Sequence, residues 1–345
     1  MSGFVSSTAL SPIKAVTDPS MAWKMVFVSA YLLTSNRVLG FYFTNDPRYG
    51  VDPSIPVLST VAYLIGGALS GFGATLGNGC HTGHGLCGLA RLSKRSFVYV
   101  CIFMASSMAL ATLTAPDNQI TAPYTGFLRM TDAPVIWNQD FGFKVTMIYV
   151  IPTIFALLKL FFFSSRTTAQ ETTPLVNKDG VSQEQPSTDQ SNNSRKIFPA
   201  LLTGCMFATG IALSGMVLPS TVLGFVNLTL IGQGTYDPTL FVVMGGGVLI
   251  SFLSYQFVED WGVMGNHSLS QSCPLMVNGE FSVPKNTTID KHLFIGAITF
   301  GMGWGLGGTC PGQALYLAGT GMAPIVFYWW PAFFGGAFVA RKFKA

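Results

Sequence analysis

Long apolar runs alternate along this chain with short polar or glycine-rich stretches. The runs fall near 22–43, 55–78, 96–114, 142–163, 197–217, 239–257, 291–308 and 322–340. Most have the roughly 18–23 residues that a helix needs to cross about 30 Å of hydrocarbon. The pattern therefore predicts an all-α polytopic membrane protein with about eight or nine transmembrane helices. Asn36 and Arg37 interrupt the first run, which is predicted to be a shorter or broken helix. Between the runs lie 81–91, 219–231 and 311–320, too short to cross and too apolar for ordinary loops. They read as re-entrant half-helices, because irregular backbone at membrane depth has to be buried in protein.

A polar stretch over 164–195, rich in Ser, Thr, Gln and Asn, reads as a disordered cytoplasmic linker. It divides the chain into a first membrane half, 1–163, and a second, 196–345, the latter with a polar insert at 258–290. The halves resemble each other. Gly71-Phe72-Gly73-Ala74-Thr75-Leu76-Gly77-Asn78-Gly79-Cys80 aligns without a gap to Gly301-Met302-Gly303-Trp304-Gly305-Leu306-Gly307-Gly308-Thr309-Cys310, 230 positions later. A second echo joins Arg37-Val38-Leu39-Gly40-Phe41 to Thr221-Val222-Leu223-Gly224-Phe225. Two pseudo-symmetric halves are expected, related either by inversion, the preferred reading, or in parallel, with a binding site at their interface near the midplane.

Composition agrees with this reading. Charged residues are 10% of the chain and mean hydropathy is +0.46, whereas soluble domains carry roughly 25% charge. A net charge of +4 is too small to suggest a nucleic-acid partner. Lysines and arginines in the linker and at Arg341, Lys342 and Lys344 place both as cytoplasmic, as do Arg91, Lys94 and Arg95. The stretches 115–141 and 258–290 read as external, with sequons at Asn266 and Asn286, and Lys291 and His292 as the external start of a helix. The first twenty residues carry no charged n-region and no compact apolar core, so no cleavable signal peptide is expected. Phe327-Tyr328-Trp329-Trp330 reads as an interfacial aromatic belt.

Five of the six cysteines lie in apolar context, which argues against a secreted disulfide framework; Cys273 lies in a polar loop. Cys80 and Cys310 stand where each glycine ladder ends, and Gly83 and Pro311-Gly312 then break the chain. Each cysteine is predicted to sit between two half-helices, with Pro311 in the first turn of a new helix. Two helix N-termini facing one another would hold an anion by backbone dipoles, without a buried Arg or Lys. The thiols are read as protonated at rest, because a thiolate would repel an anion while a neutral thiol donates a weak hydrogen bond. Gly79, Thr309 and Gly312 flank the thiols, and His84 lines a polar passage or satisfies backbone groups. Zinc on Cys80, His81, His84 and Cys87 is the lesser reading, since the spacing is compact and the second copy lacks it. Cys87, Cys101 and Cys205 read as packing residues. No catalytic residue, metal site or cofactor is assigned.

The stretch Gly77-Asn78-Gly79-Cys80-His81-Thr82-Gly83-His84-Gly85-Leu86-Cys87-Gly88-Leu89-Ala90-Arg91-Leu92-Ser93 resembles the signature of the YeeE/YedE sulfur-transport family. So do Gly303–Gly312 and the stretch from Leu218-Pro219-Ser220 to Tyr236-Asp237-Pro238. The chain is similar to a fusion of half-proteins that bacteria also make separately. The resemblance implies uptake of thiosulfate or a related inorganic sulfur anion, with Cys80 and Cys310 contacting the terminal sulfur and passing it inward. Single-chain bacterial members often carry a further functional cysteine near the N-terminus; this sequence has none before Cys80. The expected function is a permease, not an enzyme. Its expected partners are the sulfur anion, the lipid bilayer and a soluble sulfur-accepting protein on the cytoplasmic side. A membrane sulfurtransferase that forms a cysteine persulfide, and a channel for a small neutral solute, are the alternatives.

Overall fold

Every regular element in the computed structural model is helical, over the described residues 22–45, 60–114, 139–167, 187–232, 234, 236–258 and 288–344. The helices are α1 (Ala22–Asn45), α2 (Thr60–Leu76), α3 (Lys94–Thr114), α4 (Gln139–Thr167), α5 (Ser187–Leu213), α6 (Pro219–Val226), α7 (Thr229–Gly232), α8 (Thr239–Val258), α9 (Lys291–Gly307), α10 (Pro311–Gly319) and α11 (Trp330–Lys344). Two wider, π-helical segments, Thr82–Leu89 and Ile325–Trp329, precede α3 and α11. Four stretches among the described residues are long and apolar enough to cross a membrane: Lys94–Thr114, Asp140–Leu158, Lys196–Leu213 and Lys291–Gly319. The last contains the break between α9 and α10. Thr60–Leu76 and Thr239–Tyr255 are apolar but shorter. Outward-facing side chains such as Ile148, Ile151, Phe155, Phe241, Val242 and Ile250 are exposed, the arrangement that a hydrocarbon solvent favours.

The glycine ladders explain how the centre is assembled. α2 and α9 lie against one another along their backbones: Gly66 on Gly307, Ser70 on Gly303, Gly73 on Phe300 and Gly77 on Gly296. One number falls as the other rises, so the helices are antiparallel. A Cβ on Gly296 would stand 2.5 Å from the Gly77 nitrogen, and one on Gly73 would stand 2.6 Å from the Gly296 carbonyl oxygen. Only hydrogen side chains permit that approach, which exchanges side-chain bulk for backbone contact. Exchanging the two ladder copies, 230 positions apart, turns each of these pairs into another of the set. The outer neighbours obey the same exchange. Gly71 of α2 meets Phe333 of α11, and Gly301 of α9 meets Phe103 of α3. The central layer therefore runs α3, α9, α2, α11.

Around this layer, α1 runs parallel to α5, with Gly204 against the Phe27 carbonyl and Phe207 on Tyr31. Ser29 of α1 pairs with Thr153 of α4 at 2.8 Å, and Gly142 of α4 lies against Gly319 and Gly321.

Several expectations are corrected. α1 is one continuous helix through Asn36 and Arg37. Asn36 is buried and donates to the Gly319 carbonyl at 3.0 Å, which satisfies the amide that was expected to break the run. α4 extends to Thr167 and α5 begins at Ser187, so helix enters the polar linker from both sides; 168–186, Cys273, Asn266 and Asn286 lie outside the described residues. Trp329 and Trp330 are buried and pack on Phe333, leaving Phe327 and Tyr328 as the exposed part of the supposed belt. Cys87 and Cys101 are exposed rather than packed, on surfaces whose neighbouring side chains face outward.

The largest correction concerns sidedness. Arg95 donates to the Thr288 carbonyl and to Asp290, the latter at 3.3 Å. Lys344 donates to Asn78 at 2.8 Å, and His292 lies edge-on to Phe343. The start of α9, the start of α3 and the end of α11 thus share one end of the bundle, where opposite faces were expected. Partial burial would raise the Asp290 pKa, but the Leu293 N–H and the Arg95 charge outweigh it and hold the carboxyl below its ordinary range. The stabilisation it gives is present above about pH 4 and is lost as pH falls through the lower folded value.

Two outcomes follow for protein in detergent. Gly73→Val abolishes the compact fold, seen as loss of a monodisperse peak, whereas Gly83→Ala, with nothing within 4 Å of the added carbon, melts like wild type. Asp290→Ala removes the α9 cap and costs about 1 kcal/mol at neutral pH; its melting temperature converges on that of wild type below about pH 4.

Candidate functional site

The two ladders end in the same way. Asn78 and Gly308, at matching positions, both adopt left-handed backbone, with φ of 60° and 54°. After α2, Gly79 N–H bonds the Ala74 carbonyl at 2.9 Å and Asn78 N–H bonds that of Thr75 at 3.4 Å, the paired closure of a Schellman end. After α9, Gly308 N–H bonds the Trp304 carbonyl at 2.9 Å. Asparagine tolerates this conformation, but position 308 needs glycine for a second reason: a Cβ there would stand 2.6 Å from the Pro219 carbonyl oxygen. Both turns deliver a cysteine two residues later.

Cys310 is 1% exposed and caps α10. Gln313 N–H donates to its Sγ at 3.5 Å, and Cys310 N–H donates to Gln313 Oε1 at 3.4 Å. This is a capping box with sulfur in the place of the usual hydroxyl. Gln313 Nε2 also donates to the Val217 carbonyl at 3.1 Å, tying the break to the segment before α6. Tyr31 donates to the Gly312 carbonyl at 2.9 Å, and Thr309 to that of Gly307 at 2.8 Å. A carbon on Gly312 would lie 3.9 Å from the Cys310 sulfur and against Ile211 and Phe207.

Cys80 is 5% exposed, with its Sγ 2.9 Å from Thr82 Oγ1. Tyr99 donates to the Gly79 carbonyl at 3.0 Å, so each thiol has a tyrosine clamped to a nearby carbonyl. His84 takes the second of its expected roles and satisfies a backbone group. Its Nδ1 lies 3.0 Å from Ser96 Oγ, its Nε2 lies 3.2 Å from the Gly77 carbonyl, and its ring stacks on Tyr99 at 4.1 Å. It buttresses the Gly77–Cys80 turn, filling the space beside Gly79 where a Cβ would stand 2.9 Å from the ring. Cys80 is followed by a π-helical segment, not by an α half-helix, so the expectation of two facing α-helix N-termini holds only at Cys310. Among the described residues no three of His, Cys, Asp or Glu converge as metal ligands.

Cys80 and Cys310 both lie in the buried core, the first beside Gly79 and the second between Thr309 and Gly312, while His84 stands behind the Cys80 turn. Gln313, Tyr31 and Tyr99 were missed in the sequence. A lone glutamine three positions after a cysteine in an apolar stretch was the available signal for Gln313. The tyrosines, Tyr31 279 positions before Cys310 and Tyr99 19 after Cys80, gave none.

Comparison with known proteins places these elements. Residues 38–109 match a family described as sulphur transport, and residues 195–339 match a family of unknown function. A "Probable transporter" of Xylella fastidiosa strain 9a5c is 33% identical over 129 residues, 37% of this chain and 79% of its own length. A second "Probable transporter", from strain Temecula1, is 46% identical over 61 residues, 17% of this chain and 45% of its own length. No solved structure matches the chain.

Gln313→Leu leaves the Cys310 N–H and the Val217 carbonyl buried without their partner. A loss of about 1–3 kcal/mol in unfolding free energy is expected by denaturant titration in micelles.

Proposed function

The chain belongs to the YeeE/YedE sulphur-transport family, and we propose that it imports thiosulfate or a closely related inorganic sulfur anion past Cys80 and Cys310. The single observation that supports this reading is the delivery of one buried thiol from each half by matching left-handed turns. A neutral thiol is a weak, polarisable donor suited to a terminal sulfur atom. The α10 N-terminus adds a partial positive charge near Cys310 with no fixed cation. Weak contacts suit passage, because a transport site has to release what it binds.

The exchange symmetry of the ladder contacts supports an inverted repeat. Equivalent helices that cross a membrane antiparallel are related by a two-fold axis in the membrane plane, the plan of many transporters. The apolar runs beyond the four long spans then complete about eight or nine crossings and re-entrant pieces. Arg91, Lys94, Arg95, Lys291, Arg341, Lys342 and Lys344 cluster around the shared end, which the positive-inside rule makes cytoplasmic. On this reading the 258–290 insert joins the bundle from the cytoplasmic side. A soluble sulfur-accepting protein would take the solute there.

Both thiols are nearly sealed from solvent, so the arrangement is occluded and transport requires the packing around one break to part. Uptake of radiolabelled thiosulfate into proteoliposomes tests the reading. Cys80→Ala and Cys310→Ala each lower uptake at least about tenfold, the effect of roughly 1.4 kcal/mol. Wild-type uptake by the double variant overturns the reading, and a stable added sulfur by intact mass replaces it with sulfur transfer.

A further inference from the structure

Two buried nitrogens near the Cys80 break have nothing to bond. His81, directly after Cys80, is 2% exposed, and its Nδ1 has no hydrogen-bond partner. Trp304, in the second glycine ladder, is fully buried, and its Nε1 has none either. The two rings stack face to face, with centroids 5.6 Å apart and 16° between planes. Phe300 extends the stack at 6.4 Å, and Phe103 closes it edge-on. A buried polar atom is ordinarily paired, and each exception asks for a reason. Here two exceptions lie on one stack, one residue from the thiol of the first half and within the ladder of the second. Ser70, Ser107 and Trp329 also hold unpaired buried atoms, but none of them stacks on a residue adjacent to a thiol.

The chemistry of the pair narrows what it can take. Indole N–H only donates, and an imidazole with its hydrogen on Nδ1 donates there as well. Two donors in an apolar stack suit an acceptor, and a charged acceptor best of all, because hydrogen bonds to charged groups are the strong ones. The aromatic walls hold both rings in place by packing, so the donors are ordered before any solute arrives.

We propose that His81 and Trp304 recognise the oxygen atoms of the transported anion while Cys80 and Cys310 meet its sulfur. The inference rests on the transport reading and deepens it. The preferred solute class is a sulfur anion that carries both a terminal sulfur and sulfonate-type oxygens, and the stack is what separates it from hydrosulfide or polysulfide, which have no oxygen. His81 and Trp304 are specificity-determining residues on this account, each engaged only while solute is present.

The test uses the full chain in proteoliposomes, with radiolabelled thiosulfate as solute and hydrosulfide as competitor. His81→Phe and Trp304→Phe keep an aromatic ring and remove the donor. Each is expected to raise the thiosulfate KM about tenfold, the loss of one hydrogen bond to a charged group. The ratio of thiosulfate KM to the hydrosulfide inhibition constant rises by the same factor, a change that loosened packing would not select. The solute-free melting temperature of His81→Phe is no lower than that of wild type, because an unpaired buried nitrogen has been replaced by carbon. His81→Gln, which restores a donor, recovers part of the KM. Wild-type KM and ratio in both Phe variants overturn the pair while leaving thiosulfate transport standing. Should wild type take up no thiosulfate, melting in the presence of thiosulfate or sulfite decides. A rise in wild type that both Phe variants lose sustains the pair without the transport reading, and no rise ends both.

Discussion

Backbone contact between α2 and α9 is the constraint on which the molecule depends. Side chains could not bring the two helices this close, since a single Cβ at Gly73 or Gly296 would overlap the partner's main chain. Where lipid surrounds a protein, apolar side chains gain little by leaving it, so close approach and good shape carry the association. The closeness fixes the rest. It sets the level at which each helix ends, hence where the left-handed Asn78 and Gly308 turn the chain, hence where Cys80 and Cys310 arrive. A change in register of one turn would shift one thiol relative to the other by about 5.4 Å.

The surroundings of the two thiols differ in strength. Cys310 is held on its own helix by Gln313 and locked to α1 by Tyr31 and to the α6 approach through Val217. Cys80 lies in a turn braced by His84 and Tyr99 and opens into a wider helical segment. π-Helical geometry is less well bonded than α and recurs where helices must accommodate function. The first half therefore carries the softer of the two breaks, and the second half the stiffer one.

Much of this was legible in the sequence, and the residues show why. Apolar run length announced the helices, because crossing hydrocarbon demands a fixed span of chain. The repeated glycines announced close packing, and a cysteine at the end of each ladder announced the centre. Asn36 misled because its amide found the Gly319 carbonyl, a partner 283 positions away that no local pattern encodes. Trp329 and Trp330 misled for the opposite reason: interfacial composition and core composition look alike until Phe333 is seen beneath them. His84 offered two roles, lining a passage or satisfying backbone groups, and its contact with the Gly77 carbonyl is the second; His81 drew notice only in the lesser zinc reading. Sidedness failed because loop charge was read one loop at a time, whereas Arg95 and Asp290 join two loops across the bundle.

The layering α3, α9, α2, α11 interleaves the two halves rather than setting them side by side. The long neighbours of α2 are α9 and α11, both made more than 200 residues after it. While the ribosome is still at work, α2 must therefore wait in the bilayer with its glycine face bare. Completion of the core belongs to the last helix to leave the translocation machinery, and a nascent chain interrupted before α9 has no centre at all.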